Sequence, residues 1–186
     1  MKILGISCYF HDAAAAILVD GKLIAAAEEE RFTRKKHDKS FPINAIKYCL
    51  EEAGVTIDQI DYIGFYEKPL LKLERWLYQQ LECFPKSFIT FVKSTPEFLN
   101  DKLRIETQIR KKLKYKGEVL FAQHHMSHAA SSFLVSPFQK SAILTIDGVG
   151  EWATTTYGLG EGNKIELFKE IKSPVRWQKS LRNEWA

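Results

Sequence analysis

The sequence predicts a mixed α/β fold, in which an N-terminal antiparallel sheet continues into alternating helices and strands. Apolar runs at residues 13–19 and 22–27 are joined by Asp20-Gly21, a strong signal for a β-hairpin. Another apolar run at residues 2–8 precedes them. The first three strands are therefore expected to form an antiparallel meander, with a turn at residues 9–12.

The chain then changes to a helical pattern. Apolar residues recur at helical spacing over residues 42–53, with Pro42 in the first turn and Gly54 at the C-terminal cap. A helix is therefore predicted after the meander.

A fourth strand is predicted at residues 61–66 and a fifth at 118–122, followed by a helix that carries histidines. The intervening segment of about residues 67–116 is an insertion, largely helical, with breaks at Pro85 and Pro96. The order βββαβαβα is that of a ribonuclease-H-like unit.

A second meander begins after the histidine helix. Its candidate strands lie at residues 142–146, 153–157 and 165–168. We therefore expect residues 1–140 to form a first subdomain and 141–174 to open a second, with 175–186 as an unmatched tail.

Composition excludes several classes of protein. Of the 186 residues, 45% are hydrophobic and 27% charged, as in soluble globular proteins, and the net charge of +4 does not demand nucleic acid. The three cysteines show no CxxC spacing and indicate reduced thiols. Because no signal peptide and no apolar run of roughly 20 residues is found, a cytoplasmic protein without membrane contact is expected.

The most informative motif is HHMSH, which places His124 and His128 one helical turn apart on the same face. Such a pair suits a metal ion, although histidines with this spacing often only face solvent. His125 points to another face and is expected to have a supporting or structural role.

An acidic residue and a glycine turn follow the motif. Asp147 ends an apolar strand and leads into Gly148-Val149-Gly150-Glu151, where backbone N–H groups could approach a phosphate. The turn alone could equally belong to an ordinary hairpin. In this order, the histidines, the acid and the glycines suggest a metal-assisted nucleotide or phosphoryl site.

Three other segments carry candidate groups. His11-Asp12 could supply a general base, but an Asx-type turn is favoured from spacing alone. The acidic and basic run at residues 28–38 is by default a solvated, ion-paired loop, and its functional alternative is an anion clamp. The basic run at residues 102–116 is expected to be a solvated helix face, since no recognition motif supports contact with nucleic acid.

With these residues in view, the chain resembles the O-carbamoyltransferases of the nodulation-protein and antibiotic-biosynthesis type. The matching stretches are ILGISCYFHDAAAAILVDGKLIAAAEEERFTRKKHD, FPINAIKYCLEEAG, HHMSHAASSFLVSPF and LTIDGVGEW. Their order covers most of residues 1 to about 158. The family's N-terminal part is similar to the tRNA-threonylcarbamoylation domain, which implies half of the actin-like ATPase superfold.

The resemblance implies a reaction in two stages. A further domain joins carbamoyl phosphate and ATP into carbamoyl adenylate, and the N-terminal domain transfers the carbamoyl group to a hydroxyl of a sugar or natural-product acceptor. Members are several times longer, so this chain is expected to be a fragment, inactive alone, that needs its missing C-terminal half in cis or in trans.

The resemblance also implies roles for individual residues. The metal ligands are His124, His128 and Asp147, with Fe²⁺ expected and Mg²⁺ as a second ion, and a further acid ligand lies outside this chain. His11 would activate the acceptor and Lys36 would contact carbamoyl adenylate. The nucleotide would be bound by Asp12, Gly148, Val149, Gly150 and Glu151.

Three alternatives stay open at this point. A sugar kinase or ATPase of the same superfold fits the glycine turn but not the histidine pair. A tRNA-modification protein would show salt-sensitive tRNA binding. A non-catalytic subunit would bind a partner through its meander and basic helices.

Overall fold

A computed structural model describes residues 1–97, 99, 103–148 and 150–172 of the chain. It divides into two compact units. The first contains Met1–Pro69 and Val92–Ala122, and the second contains Leu70–Phe91 and the chain from Gln123 onward. The predicted tail at 175–186 lies outside the described residues.

The first unit is built on a five-stranded sheet with the order β3-β2-β1-β4-β5. Its strands are β1 (Lys2–Ser7), β2 (Ala14–Val19), β3 (Lys22–Glu28), β4 (Tyr62–Phe65) and β5 (Glu118–Phe121). The first three pair antiparallel, whereas β4 and β5 join β1 in parallel. This mixed sheet confirms the predicted ribonuclease-H-like fold class, including the hairpin at Asp20-Gly21.

Alternating residues of these strands form the core of the first unit. Leu4 and Ile6 of β1 and Ile63 of β4 are buried, as the period of two residues in a strand requires. Helix α2 (Ile43–Glu52) covers the sheet with Ile46 and Cys49. Burial raises the pKa of the Cys49 thiol, which accords with the reduced, structural cysteines expected from the sequence.

Helix α2 begins against a buried carboxylate. The Glu29 side chain is 1% exposed and follows β3 directly. Its oxygens accept hydrogen bonds from the backbone N–H of Asn44 at 3.0 Å, the backbone N–H of Ala45 at 2.9 Å and the Asn44 side chain at 2.6 Å. The first-turn donors of a helix have no intrahelical partner, so Glu29 satisfies them and ties α2 to the sheet. The expected solvated loop at residues 28–38 is therefore wrong at this position.

The helices of the inserted segment follow the sequence closely. They are α3 (Pro69–Glu82), α4 (Phe88–Glu97) and α5 (Ile105–Leu113), whereas the short α1 (Glu30–Thr33) lies earlier in the chain, before α2. Pro85 separates α3 from α4, and Pro96 lies at the end of α4. Ile105, Ile109 and Leu113 bury one face of α5 in the core of the first unit, while its basic residues lie in the last turn.

The second unit contains a meander of three antiparallel strands. These are β6 (Lys140–Ile146), β7 (Ala153–Glu161) and β8 (Lys164–Lys172), and α6 (His124–Phe133) contacts all three. Ala129 and Phe133 of α6 pack on Ile143 of β6. A Cβ atom at Gly160 would lie 2.5 Å from the Phe133 ring, so only glycine permits this approach.

The unit boundary differs in place from the domain boundary drawn from the sequence. The predicted boundary at residue 140 falls inside the second unit, because α6 contacts the meander. The assignment of residues 1–140 and 141–174 to two subdomains stays a prediction. Among the described residues, none of the helices has both the length and the apolar character needed to cross a bilayer.

We predict that Glu29→Ala lowers the free energy of unfolding by about 3 kcal/mol, because it leaves buried helix-terminal N–H groups without an acceptor. Urea denaturation followed by circular dichroism measures this change. Glu28→Ala is the matched control. Glu28 forms a surface ion pair with Arg31, so its loss is expected to cost less than about 0.5 kcal/mol. Equal effects of the two substitutions would contradict the capping role of Glu29.

Candidate functional site

The histidine motif forms the first turns of α6. His124 opens the helix and is 8% exposed, whereas the His128 side chain is half exposed. Their ring centroids lie 4.6 Å apart, as expected for residues one turn apart on one face. The predicted placement of the pair on a helix is therefore correct.

Asp147 lies directly after β6 and faces both imidazoles. Its backbone N–H donates to the carbonyl oxygen of Thr154 at 2.8 Å, which fixes the residue at the end of the hairpin. Its Oδ2 atom lies 2.7 Å from Nε2 of His124 and 3.6 Å from Nε2 of His128. The two Nε2 atoms are 3.0 Å apart. All three predicted metal ligands thus converge within the second unit.

The three atoms are also close enough to one another to share a single ion. If Nε2 of His124 donates to Asp147, it has no lone pair left to accept a proton from His128 at 3.0 Å. A divalent cation would use the lone pairs of all three atoms at once. Ligand atoms about 2.1 Å from one ion lie about 3.0–3.5 Å from each other, close to the distances observed. Two imidazoles and one carboxylate are a donor set of non-haem Fe(II) and of Zn²⁺.

His125 lies beneath this site in a buried network and is 4% exposed. Its Nε2 atom lies 2.7 Å from the carbonyl oxygen of Ala153, which can only accept, so Nε2 carries the proton. Nδ1 then accepts from the Thr145 hydroxyl at 2.5 Å, and the Thr156 hydroxyl donates to Thr145 at 2.6 Å. The network joins the start of α6 to β6 and β7, a supporting position like the one expected for this histidine.

The glycine turn lies against the same imidazole. A Cβ atom at Gly150 would lie 2.4 Å from the Ala153 carbonyl oxygen and 3.0 Å from Nε2 of His125, so the turn approaches too closely for a side chain. At Gly148, a Cβ atom would meet none of the described atoms within 4 Å. Val149 lies outside the described residues, so its predicted nucleotide contact stays a prediction.

One contact of this turn was not predicted from the sequence. The guanidinium of Arg75, a buried residue of α3, donates a hydrogen bond to the Gly150 carbonyl. Lys72 and Arg75, three residues apart, are the buried residues of α3, and no sequence signal marked either of them. Glu151 is 7% exposed and lines a cavity of about 580 Å³ together with Trp152, Lys169 and other residues. A small ligand in this cavity could therefore contact Glu151 and its neighbours.

The predicted site residues of the first unit lie in two adjoining loops. Nδ1 of His11 lies 2.8 Å from Oδ2 of Asp12, and Nδ1 of His37 lies 2.9 Å from Oδ1 of the same carboxylate. These hydrogen bonds, the one from His37 first, lower the pKa of Asp12. Lys36 precedes His37 and its side chain is exposed. His11, Asp12 and Lys36 are the site residues predicted from the sequence, whereas His37 was not predicted, although it directly follows Lys36.

The second of these loops is anchored by Asp38. Its carboxylate accepts hydrogen bonds from the Thr33 hydroxyl at 2.7 Å, the Ser40 hydroxyl at 2.6 Å and the Ser40 N–H at 2.9 Å. These bonds, those from Ser40 first, lower the pKa of Asp38 to about 2. These bonds thus anchor the loop immediately beside Lys36 and His37.

Comparison with protein families gives one match over nearly the whole chain. The family model described as carbamoyltransferase N-terminus matches residues 2–178. An uncharacterized protein of Synechocystis sp., sll1178, is 48% identical over 92% of this chain and 29% of its own length. The nodulation protein NolNO of Sinorhizobium fredii is 37% identical over 85% of this chain and 22% of its own length. The chain spans less than a third of either relative.

Solved structures show a more distant likeness. YeaZ from Pseudomonas aeruginosa is 13% identical, with a TM-score of 0.48, over 91% of this chain and 65% of its own. ROK hexokinase from Thermus thermophilus is 15% identical, with a TM-score of 0.43, over 89% of this chain and 47% of its own.

We predict that Gly150→Ala destabilises the protein by about 1–3 kcal/mol, because the added methyl group overlaps the Ala153 carbonyl and the His125 ring. The thermal midpoint measures the effect. Gly148→Ala adds the same methyl group to open space two residues away and is expected to cause no loss. If Gly150→Ala were as stable as Gly148→Ala, the close approach of the turn to His125 would be refuted.

Proposed function

The chain belongs to the carbamoyltransferase N-terminus family, and from this premise we propose that it takes part in carbamoyl transfer to a hydroxyl group. The donor would be carbamoyl adenylate, made from carbamoyl phosphate and ATP, and the acceptor a sugar or natural product. The observation that carries the proposal is the convergence of His124, His128 and Asp147 on one point. A metal ion beside the glycine turn, which would bind the nucleotide, suits group transfer from a mixed carbamic–phosphoric anhydride.

We propose that the triad holds Fe²⁺. Its two neutral imidazoles and one carboxylate fit this ion, and Mg²⁺, which prefers oxygen ligands, would accompany the nucleotide instead. When bound, the ion would act as a Lewis acid that stabilises negative charge on the carbamoyl or phosphoryl oxygen. The buried His125 network would hold the ligands His124 and Asp147 in register before the ion arrives.

The protein's own side chains would carry out the proton transfer and stabilise the charge. His11 would accept the proton of the acceptor hydroxyl while the hydroxyl oxygen forms a bond to the carbamoyl carbon. The bond between that carbon and the adenylate oxygen then breaks, and AMP leaves with the electron pair. Lys36, exposed beside this loop, would neutralise charge on the carbonyl or phosphate oxygens.

The glycine turn would bind the nucleotide phosphates. Gly148 and Gly150 lack side chains, which lets backbone N–H groups approach an anion. Gly150 lies against the His125 ring and accepts a hydrogen bond from Arg75. Asp12 stays a predicted contact of the nucleotide, and its carboxylate also engages two histidines. Formation of carbamoyl adenylate is assigned to a further domain, in cis or in trans.

We predict that the purified chain binds about one Fe²⁺ or similar divalent ion, and that His124→Ala with His128→Ala weakens the affinity at least about 100-fold. Elemental analysis and titration of the metal-free protein measure stoichiometry and affinity. His37→Ala, which removes an imidazole of the first unit, is the control and should keep the ion. Equal metal content in the double variant and the wild type would contradict the assignment.

We predict that His11→Ala lowers the rate of carbamoyl transfer by about 10²–10⁴-fold, because the acceptor hydroxyl loses its base. The assay follows labelled carbamoyl phosphate into an acceptor, with the adenylate-forming domain supplied in cis or in trans. Release of pyrophosphate reports the first stage separately and should be unchanged. Full transfer activity in this variant would remove His11 from the mechanism.

A further inference from the structure

One carboxylate in the first unit holds two imidazoles, and each imidazole occupies a different oxygen. Nδ1 of His37 lies 2.9 Å from Oδ1 of Asp12, and Nδ1 of His11 lies 2.8 Å from Oδ2. We propose that His37 is a positioning residue, which holds Asp12 so that Asp12 orients His11 with its Nε2 lone pair available to the acceptor hydroxyl. The catalytic part of this inference rests on the proposed function.

The backbone brings the two histidines together. The N–H of Tyr9 donates to the Lys39 carbonyl and the N–H of Ala13 donates to the Asp38 carbonyl, both at 2.8 Å. These bonds fix the His11 turn against the His37 loop from both sides.

The His37 loop is itself held in place. The carboxylate of Glu30 accepts the backbone N–H of His37 at 2.9 Å, and φ is +55° at His37 and +50° at Asp12. Positive φ is uncommon outside glycine and persists where surrounding contacts impose it. The shared carboxylate is thus built into the fold rather than formed by a chance surface contact.

The contacts specify that one nitrogen, Nδ1, carries a proton in both rings. The pKa of Asp12 is lowered, so its carboxylate is ionised near neutral pH and can only accept hydrogen bonds. Each Nδ1 must therefore carry a proton. When the ring is neutral it has only this one N–H, so Nε2 of His11 and Nε2 of His37 then act as acceptors. Free histidine favours the opposite tautomer, with the proton on Nε2.

A metal ion is not needed to explain this cluster. Asp12, Glu30 and His37 do bring potential ligand atoms close together. However, each imidazole here has its own carboxylate oxygen, and Glu30 already accepts the His37 N–H. The second unit differs, because there two imidazole nitrogens and one oxygen share a single point. The chemistry of the first cluster is therefore that of oriented hydrogen bonds.

Orientation matters because His11 is exposed. Its side chain is 59% accessible, and its ring otherwise contacts only its neighbour Phe10 among the described rings, at 4.4 Å between centroids. When Nε2 takes the hydroxyl proton, Nδ1–H remains on Asp12, whose charge stabilises the imidazolium. With Oδ1 engaged by His37, Oδ2 stays directed at His11.

The test is the tautomer of His11, read from ¹⁵N chemical shifts of its ring in the purified chain, with signals assigned by single substitutions. The wild type should show the proton on Nδ1. His37→Ala should shift His11 toward the Nε2–H form and lower kcat for carbamoyl transfer at least about tenfold. His37→Asn should restore both, because its carboxamide N–H replaces the Nδ1–H donor. Lys35→Ala, an exposed neighbour, should leave the His11 tautomer unchanged.

Three outcomes would overturn the proposal: an Nε2–H tautomer of His11 in the wild type, no change in His11 on His37→Ala, or a His37→Asn variant as defective as His37→Ala. Circular dichroism verifies that each variant is folded. The tautomer is measured without substrate, so it tests the positioning even if carbamoyl transfer is not the reaction. Conversely, a correct tautomer with no transfer activity would count against the proposed function alone.

Discussion

The hydrogen bond from His125 to the Ala153 carbonyl is the contact on which the second unit's site depends. It joins the first turn of α6 to the start of β7, and the Thr145 and Thr156 hydroxyls extend it across β6. His124 is the preceding residue on α6, and Asp147 closely follows Thr145. Any movement of His125 would therefore displace the candidate ligands His124 and Asp147 and also the glycine turn that lies against its ring.

The two histidine clusters show how the same residue types can do different chemistry. In the second unit, two imidazole nitrogens and one carboxylate oxygen converge closely enough to serve as ligands of one cation. In the first unit, the carboxylate is divided between two rings, and each contact is an ordinary charge-assisted hydrogen bond. The two clusters therefore differ in how many imidazole nitrogens approach one carboxylate oxygen, and not in the types of residue they contain. Two nitrogens approach Oδ2 of Asp147, whereas one approaches each oxygen of Asp12.

The sequence predicted those parts of the fold that depend on local periodicity. The hairpin at Asp20-Gly21, the individual strands β4 and β5 and the one-turn spacing of His124 and His128 are all encoded over short distances. What it missed are contacts between residues far apart in the chain. Glu29 was assigned to a solvated run because its partners, Asn44 and Ala45, lie 15 and 16 residues away. Arg75 meets Gly150 only in the folded chain, and no spacing rule connects them.

The placement of the three candidate ligands within one unit links ion binding to folding. His124 and His128 lie on α6, whereas Asp147 follows β6, so an ion bound there would act as a cross-link that closes a loop of about two dozen residues. Because the unfolded chain cannot hold the three groups together, binding would add its free energy to stability, about 2.7 kcal/mol at 100 times the dissociation constant. An ion bound at this site would thus stabilise the fold in addition to any role in the reaction. Its removal by a chelator would weaken the attachment of α6 to the sheet that contains β6.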